Sequence, residues 1–370
     1  MKVAIVHYWI VNWRGGEKVL EQILALFPDA HIYCHTADPD IIKKHLPNKQ
    51  IKFTFINKLP FSARFYQKYM PLMPYALEQL DLTGYDLVIS SESGPAKNVI
   101  TAPDSTHICY CHSPMRYVWD MYHFYKCDAS LLTKLAMGPI IHYLKIVDRL
   151  SADRVDVFLS NSKFIQKRIM KCYRRNAKVL YPPIATDEYE YTSKKEDYYL
   201  VLGQLTPYKK ADVVVDAFIK NGKKLVVIGD GEQLQQLRSI ATSNISIIGK
   251  QPFNKVKHHL ARAKALIFPG VEDFGMVPVE AMASGTPVIC YAKGGALETV
   301  VNNKTGVYIY EQSADAINDA IKRIENGEIK FDSEELRDHA NLFSTDSFKQ
   351  EFMSIVEEAT TNTTFLKNTE

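Results

Sequence analysis

Short apolar runs of strand length alternate with helix-length segments along the whole chain. In the first half, the predicted strands have the sequences VAIVHY, YDLVIS, HICYC and DVFLSNS. Around residue 178 the pattern is interrupted by proline and charge, and it then restarts with YYLVLG, KLVVIGDG, ISIIG, ALIFPG, PVICY and GVYIY. Repeated β–α alternation is typical of parallel sheets covered by helices. The sequence therefore predicts an α/β protein in which this architecture occurs twice.

A chain of 370 residues exceeds what a single hydrophobic core normally organises. We predict an N-terminal domain over residues 1–182 and a linker over 183–197, where periodicity is lost. A second domain is predicted over 198–345, and a C-terminal helix with a polar tail over 346–370. The last helix is expected to pack back on the N-terminal domain. A cleft is expected between the domains, lined by the carboxyl ends of their strands.

The composition is that of a globular protein, with 46% hydrophobic and 24% charged residues. Six unevenly spaced cysteines favour reduced thiols and a cytoplasmic location over a disulfide framework. The opening MKVAIVHYW predicts a first strand and not a signal peptide. No apolar run reaches the roughly 18 residues that a membrane span needs. The net charge of +3 is mild, and the basic residues are not joined to a nucleic-acid-binding motif, so we expect no nucleic-acid partner.

The stretch HICYCHSPMRY places two cysteines and two histidines within six positions. On a strand, alternation would point His107, Cys109 and Cys111 to one face and His112 to the other. A zinc ion needs four converging ligands, so we expect no metal site here. His112 lies where the strand ends, which is where parallel sheets bind ligands. It is a candidate active-site residue, and the alternative is a strand-end histidine with a satisfied hydrogen bond.

The segment EDFGMVPVE, which follows the strand ALIFP, combines a loop with a helix start. Pro278 fits the first position of a helix, which would place Glu272 before the helix and Glu280 in its first turn. Unpaired amides at a helix start suit a phosphate or sugar hydroxyls. The candidate donors are the amides of Phe274, Gly275, Met276 and Val277. A carboxylate such as Glu280 suits a ribose diol; the alternative is that both acids only complement the helix dipole.

With AMASGTPVI and GG-x₂-E behind it, this E-x₇-E pattern resembles family 4 of the glycosyltransferases. The resemblance implies the GT-B fold, in which two Rossmann-like parallel-sheet domains face each other across a cleft. It also implies retaining transfer of a sugar from a nucleotide-sugar donor, with no metal and no other cofactor. Glu280 would hold the nucleotide ribose, whereas Glu272 and the loop amides would meet the donor sugar.

The segment GQLTPYKK resembles the family's G-R-L-x₃-K. The resemblance places Lys209 at the position that neutralises the donor diphosphate, Gly203 at the turn after the strand, and Lys210 as the weaker alternative to Lys209. A fixed cation would stabilise the growing charge of the leaving group. Gln204 stands where the family usually has arginine, and glutamine brings neither charge nor a bidentate fork. This departure keeps a non-catalytic scaffold open as an alternative.

In the first half, VNWRGGEKVL resembles the family's glycine-rich loop, with Gly15 and Gly16 opening a helix toward the donor phosphates. It lacks the G-x-G-x-x-G spacing of dinucleotide enzymes, which argues against a dehydrogenase. YCHSPMRYVWD matches a subgroup that includes bacterial polysaccharide and O-antigen mannosyltransferases. In that subgroup the position of His112 lies near the reacting sugar. The expected catalytic residues are therefore His112, Lys209 and Glu272.

The function implied is transfer of a hexose, mannose from GDP-mannose, to a glycan or lipid-linked glycan in polysaccharide biosynthesis. A UDP-sugar donor, a scaffold, and an epimerase or phosphorylase of the same architecture are the alternatives. Two segments suggest peripheral membrane contact: LPFSARFYQKYMPLMPYALEQL, with Arg64 and Lys68 among aromatic residues, and the basic helix KFIQKRIMKCYRR over 163–175. An ordinary amphipathic helix folded on the core would explain the first segment equally well, and a solvated helix face is the commoner explanation of the second. The expected location is the cytoplasm, at the inner face of the membrane.

Overall fold

The computed structural model describes residues 1–122, 126 and 131–367. The chain divides into two compact units. The N-terminal unit comprises Met1–Tyr181 and Phe348–Glu370, and the C-terminal unit comprises Pro182–Ser347.

The N-terminal unit is built on a parallel sheet with the strand order β3-β2-β1-β4-β5-β6-β7. Its strands are β1 (Val3–His7), β2 (His31–Cys34), β3 (Ile51–Phe53), β4 (Leu87–Glu92), β5 (Thr106–Cys111), β6 (Val157–Ser160) and β7 (Ala177–Val179). Every residue of β1, β4 and β5 is buried, since helices cover both faces of a parallel sheet. The strand order reverses direction between β1 and β4, which makes their carboxyl ends the expected ligand site.

The helices of this unit follow the strands that they connect. They are α1 (Gly15–Leu26), α2 (Pro39–His45), α3 (Ser62–Phe65), α4 (Met73–Glu78), α5 (Arg116–Trp119), α6 (Leu131–Ser151) and α7 (Lys163–Tyr173). Short 3₁₀ turns are found at Phe55–Lys58, Tyr66–Leu72 and Ala152–Arg154.

The C-terminal unit repeats the architecture with the order β10-β9-β8-β11-β12-β13, again parallel. Its strands are β8 (Tyr199–Leu202), β9 (Leu225–Ile228), β10 (Ile245–Gly249), β11 (Leu266–Phe268), β12 (Val288–Tyr291) and β13 (Gly306–Ile309). Its helices are α8 (Ala211–Asn221), α9 (Leu234–Ile240), α10 (Phe253–Arg262), α11 (Met276–Ala283), α12 (Ala296–Thr299), α13 (Ala314–Glu325) and α14 (Ser333–Asn341). Short 3₁₀ turns occur at Thr186–Glu188 and Pro207–Lys209.

Two Rossmann-like parallel sheets confirm the predicted fold class. The predicted linker 183–197 lies within the C-terminal unit. Its apolar side chains Ile184 and Tyr189 are buried, and the amide of Ile184 donates to the carbonyl of Phe343 across 2.9 Å. Proline and charged residues interrupt the hydrophobic periodicity of this segment, so the sequence pattern did not indicate this packing.

The last helix, α15 (Thr345–Lys367), packs on the N-terminal unit. Phe348 lies edge-on to Tyr110, and Phe352 lies edge-on to Phe27. The helix continues through most of the segment predicted as a polar tail, and residues 368–370 lie outside the described part. Across the residues that the structure describes, no helix has the length and apolar character needed to cross a membrane.

Candidate active site

In the C-terminal unit, the loops after β8 and β11 leave the sheet at its switch point, where the strand order reverses. Together they line a pocket. Its walls include four residues that the sequence analysis singled out: Gly203, Gln204, Lys209 and Glu272. Residues that the sequence analysis took from two separate motifs therefore share one pocket.

Lys209 and Glu272 form an ion pair in this pocket, with 2.9 Å between the ammonium Nζ and Oε1 of the carboxylate. Both side chains keep about a fifth of their surface exposed, 24% and 21% respectively. Lys209 ends a 3₁₀ turn whose following residue, Lys210, is left-handed with φ 60° and precedes α8. The turn thus presents Lys209, and not its neighbour, to Glu272.

The Gly294–Gly295 pair holds the loop that carries Glu272. The amide of Gly295 donates to the carbonyl of Glu272 across 2.9 Å. A Cβ on Gly295 would lie 2.3 Å from the Cα of Phe274, and one on Gly294, where φ is +74°, would lie 2.6 Å from the Glu272 carbonyl oxygen. Only glycine permits such close backbone approach, so GG-x₂-E acts by shaping the acidic loop.

The helix after this loop, α11, begins at Met276, and Gly275 precedes it in a left-handed conformation with φ +88°. Pro278 is its third residue, so the prediction that Pro278 opens the helix was wrong. Glu280 consequently lies in the second turn. The early amides that have no intrahelical partner include those of Met276 and Val277, as predicted for a helix start. Left-handed Gly275 sets the start two residues earlier than proline statistics indicated.

Glu280 is 8% exposed and accepts a hydrogen bond from the Tyr189 hydroxyl. Burial, and after it the nearby Glu280 carboxylate, raise the pKa of Tyr189 far above its ordinary value. Tyr189 therefore stays a neutral donor that orients Glu280. Tyr189 was not predicted as a site residue because it lies in the segment predicted as a linker, which has no hydrophobic periodicity.

In the N-terminal unit, His112 follows β5 at the same edge of the sheet as the glycine-rich loop. α1 begins at Gly15, and a Cβ on Gly16 would lie 2.8 Å from the Tyr8 hydroxyl and 3.6 Å from Nε2 of His112. The backbone amide of His112 donates to the Glu92 carbonyl across 2.8 Å. The structure thus brings Gly16 of the glycine-rich loop and His112 close together.

A line of polar side chains stands behind His112. Ser91 Oγ lies 2.9 Å from His112 Nε2 and 3.2 Å from His7 Nδ1. His7 Nε2 lies 3.8 Å from Glu17 Oε1, and Oε2 of Glu17 accepts the Arg14 amide across 2.8 Å. This polar line, Glu17–His7–Ser91–His112, fixes the orientation of the His112 ring.

The pKa shifts in the polar line have identifiable causes. Burial, and after it the His7 ring, lower the pKa of His112 to about 3, with Glu17 opposing the shift. Burial would raise the pKa of Glu17, but hydrogen bonding and attraction to His7 outweigh it, and the net shift is downward. At neutral pH His112 is therefore an uncharged imidazole, which can donate from one nitrogen and accept at the other.

A buried charge cluster anchors the strand ends beside His112. Lys97 has no exposed surface and lies between the carboxylates of Glu92 and Asp148. The Trp119 indole and the Tyr173 hydroxyl donate to the second Asp148 oxygen across 2.7 and 2.9 Å. Burial raises the pKa of Glu92 to about 7, with Lys97 opposing and Asp148 adding to the shift.

The cysteines of HICYC lie inside the sheet and outside any cluster of ligands. Burial raises the thiol pKa of both Cys109 and Cys111 well above the ordinary value. Within residues 1–122, 126 and 131–367, no group of three His, Cys, Asp or Glu side chains is arranged to hold a metal ion. The expectation of metal-free chemistry stays a prediction.

Residues 186–341 match the family described as Glycosyl transferases group 1. The matched segment contains Lys209, Glu272, Gly295 and Glu280. The C-terminal unit is therefore similar, over most of its length, to group 1 glycosyl transferases. The pocket of Lys209 and Glu272 and the loop shaped by Gly294 and Gly295 lie inside the matched segment.

Three characterised relatives carry mannosyltransferase names. The chain is 28% identical to a GDP-mannose-dependent alpha-(1-6)-phosphatidylinositol monomannoside mannosyltransferase of Mycobacterium tuberculosis, over 46% of this chain and 53% of that protein. It is 26% identical to the O-antigen chain mannosyltransferase RfbU of Salmonella typhimurium, over 50% and 55%. It is 24% identical to the alpha-1,3/1,6-mannosyltransferase ALG2 of Saccharomyces cerevisiae, over 96% and 84%. The chain spans about half the length of the first two.

Among solved structures, the chain is similar to Anabaena Alr3699/HepE, crystallised with UDP and glucose, with a TM-score of 0.72. The identity is 15%, and the likeness covers 96% of this chain and 99% of the other. At that identity the likeness establishes the fold alone, which is the GT-B fold of two Rossmann-like parallel-sheet domains.

Proposed function

We propose that the chain is a retaining glycosyltransferase that moves mannose from GDP-mannose to a glycan or lipid-linked glycan in polysaccharide or lipopolysaccharide biosynthesis. The observation that carries the proposal is the pairing of Lys209 and Glu272 in one pocket at the ends of β8 and β11, inside the matched domain. The names of the mannosyltransferase relatives support mannose as the sugar.

In this proposal, Lys209 carries the charge of the donor diphosphate. As the glycosidic bond to the sugar breaks, negative charge grows on the phosphate, and a fixed cation stabilises it without a metal ion. Gly203 and Gln204 line the same pocket, and the family resemblance assigns Gly15 and Gly16 to the donor phosphates. Donor binding replaces the contact of Lys209 with Glu272 by a contact with phosphate.

Glu280 accepts the ribose hydroxyls, oriented by Tyr189. Glu272, released from Lys209, accepts donor-sugar hydroxyls, and the amides at Phe274, Gly275, Met276 and Val277 donate to the sugar and phosphate. His112, held neutral, positions the reacting sugar. The transition state is oxocarbenium-like, as in glycosidases.

The second candidate function is transfer from a UDP-sugar donor, which is favoured by the UDP and glucose in the similar Anabaena structure. The acceptor, a cytoplasmic location and peripheral contact with the inner face of the membrane belong to the same proposal. A non-catalytic scaffold rests on Gln204 alone.

The test is thermal stabilisation by GDP, UDP, ADP and their sugars, followed by transfer of radiolabelled sugar. At a hundred times its dissociation constant, a ligand adds about 2.7 kcal/mol to stability. We expect a selective shift with GDP and GDP-mannose that Lys209→Gln and Glu280→Gln remove, while the exposed-site control Glu311→Gln retains it. A selective shift with UDP would move the assignment to a UDP-sugar, and no shift with any nucleotide would favour the scaffold.

A further inference from the structure

The outward face of α6 is apolar although it faces solvent. Leu135 is 68% exposed, Tyr143 40%, Ile146 47% and Leu150 59%. With exposed Pro139 between the first two, these residues follow one another at intervals of three or four positions, which aligns them along one side of a helix. Single exposed apolar residues are ordinary, but a continuous stripe marks an interaction surface.

The opposite side of the same helix is already used by the fold. Ile141 and Leu144 are buried in a cluster with Met70 and Met73, and Asp148 belongs to the buried charge cluster with Lys97. The helix therefore has two different apolar faces. One face packs on the N-terminal unit, and the other, the exposed stripe, faces solvent.

The charges beside the stripe are positive. Lys134, Lys145 and Arg149 flank it, whereas Asp148, the helix's own acidic residue, points inward. Arg149 also contacts Asp153, the acid that follows the helix, across 2.9 Å, in a pair that is exposed to solvent on both sides. Such exposed pairs contribute little, so the flank still offers cations to a partner.

The segment that packs under α6 has the same character. Phe61, Leu72 and Tyr75 expose 73%, 46% and 55% of their surfaces, and Arg64 and Lys68 lie over the Phe65 ring. Residues 41–77 contain seven lysines and arginines and no acidic residue. Residues 1–181 carry 24 basic residues against 15 acidic ones, whereas 182–347 carry 19 against 23. Positive charge is thus concentrated in the unit that exposes apolar helix surface.

We propose that the outer face of α6 docks on an anionic phospholipid bilayer. Leu135, Tyr143, Ile146 and Leu150 enter the headgroup region with the helix lying along the surface, and the flanking cations contact lipid phosphates. Charge complementarity selects this occupant, because a second copy would bring the same positive flank against the first. The inference rests on the proposed function in one respect, since it names the surface for the peripheral membrane contact included there, and it does not depend on the identity of the donor or on catalysis.

The test is co-sedimentation of the full chain with vesicles of phosphatidylcholine, with and without 30% phosphatidylglycerol. We expect binding to the anionic vesicles that is weakened by salt. Ile146→Glu with Leu150→Glu should weaken it about tenfold or more, since two apolar side chains no longer enter the interface. Lys145→Gln with Arg149→Gln should weaken it about fivefold per charge, on anionic vesicles alone.

Two controls keep the test decisive. Ile219→Glu and Ile240→Glu place the same charges at apolar sites of similar exposure, 39% and 40%, in the C-terminal unit, and should not change binding. Nucleotide-induced thermal stabilisation of every variant reports whether the proposed donor site is intact.

Equal binding by the α6 variants and the parent chain, or no binding by the parent, would overturn the proposal. So would a parent dimer in ultracentrifugation that Ile146→Glu dissociates, since the occupant would then be a second copy.

Discussion

The two units share one strand order but organise their polar residues differently. In the C-terminal unit, the central ion pair, Lys209 with Glu272, is partly exposed, and glycines shape the loops around it. In the N-terminal unit, Lys97, His7 and Glu17 are buried beneath the strand end that carries His112. The difference implies that Lys209 and Glu272 can exchange their mutual contact for contacts with a ligand. The buried residues beneath His112 instead form a rigid support, and its loss strongly destabilises the N-terminal unit.

The largest expected effect is on that support. Lys97→Met leaves Glu92 and Asp148 buried together without a cation, which should lower the free energy of unfolding by about 3–5 kcal/mol. The control, Lys220→Met, removes an exposed partner of Asp315 and should cost less than about 1 kcal/mol. Urea unfolding measures both, and equal losses would show that the two kinds of ion pair do not differ.

Breaking the partly exposed pair of Lys209 and Glu272 should leave stability nearly intact and strongly lower activity. Lys209→Gln is expected to lower kcat by about 10²–10³-fold, because the leaving phosphate loses its fixed cation. Lys210→Gln removes the same charge one residue away and should lower it much less. Steady-state kinetics with the sugar donor decides, and similar losses in both would mean that general charge, and not the pairing with Glu272, matters.

The glycine-shaped loop can be tested separately from charge. In Gly295→Ala, the new Cβ would meet the Phe274 backbone and displace the loop that carries Glu272. A shift of about 1 Å at a reacting group can cost about 100-fold in rate. Gly138→Ala meets no atom within 4 Å and is the control. Normal transfer activity in Gly295→Ala would contradict the role given to the glycine pair.

Acid should destabilise the N-terminal unit first. Burial lowers the pKa of His35 to about 3 and that of His107 to about 4, from an ordinary value of 6.5. Above pH 6.5 their contribution to stability is complete. As the pH falls below that value the unfolded chain binds protons that the folded unit does not, so up to about 1.4 kcal/mol is lost per pH unit and histidine. Calorimetry between pH 7 and 5 should show this, and His107→Asn should reduce the slope.

The smallest expected effect is a change in nucleotide affinity at Gln204, which stands where the resembled family usually has arginine. Gln204→Arg places a guanidinium at the pocket wall, and a charge-assisted bond to the diphosphate should tighten nucleotide binding about tenfold. Gln235→Arg, at an exposed site outside the pocket lining, is the control. Isothermal calorimetry measures both, and unchanged affinity in Gln204→Arg would show that another group already supplies this contact.

Much of this architecture could be predicted from local patterns. Strand and helix alternation depends on residues within one element, and the turn that presents Lys209 depends on a few neighbours. The start of α11 was mispredicted because Gly275, and not Pro278, sets it. The packing of residues 183–197, predicted as a linker, was not readable from local patterns, because Ile184 and Tyr189 become buried only against partners distant in sequence.

The sequence by itself therefore determined two parallel-sheet domains and the motif order that places Lys209 and Glu272, and it predicted His112 as a candidate at the end of β5. Tertiary structure alone decided what supports these groups. His7 meets Ser91 across 84 positions, and Lys97 meets Asp148 across 51. The orientation of Glu280 by Tyr189 likewise needs a chain segment without local pattern. The physical reason is that a hydrogen bond or an ion pair forms only when its two partners lie within a few ångströms of each other. Only the folded sheet brings residues so distant in sequence that close together.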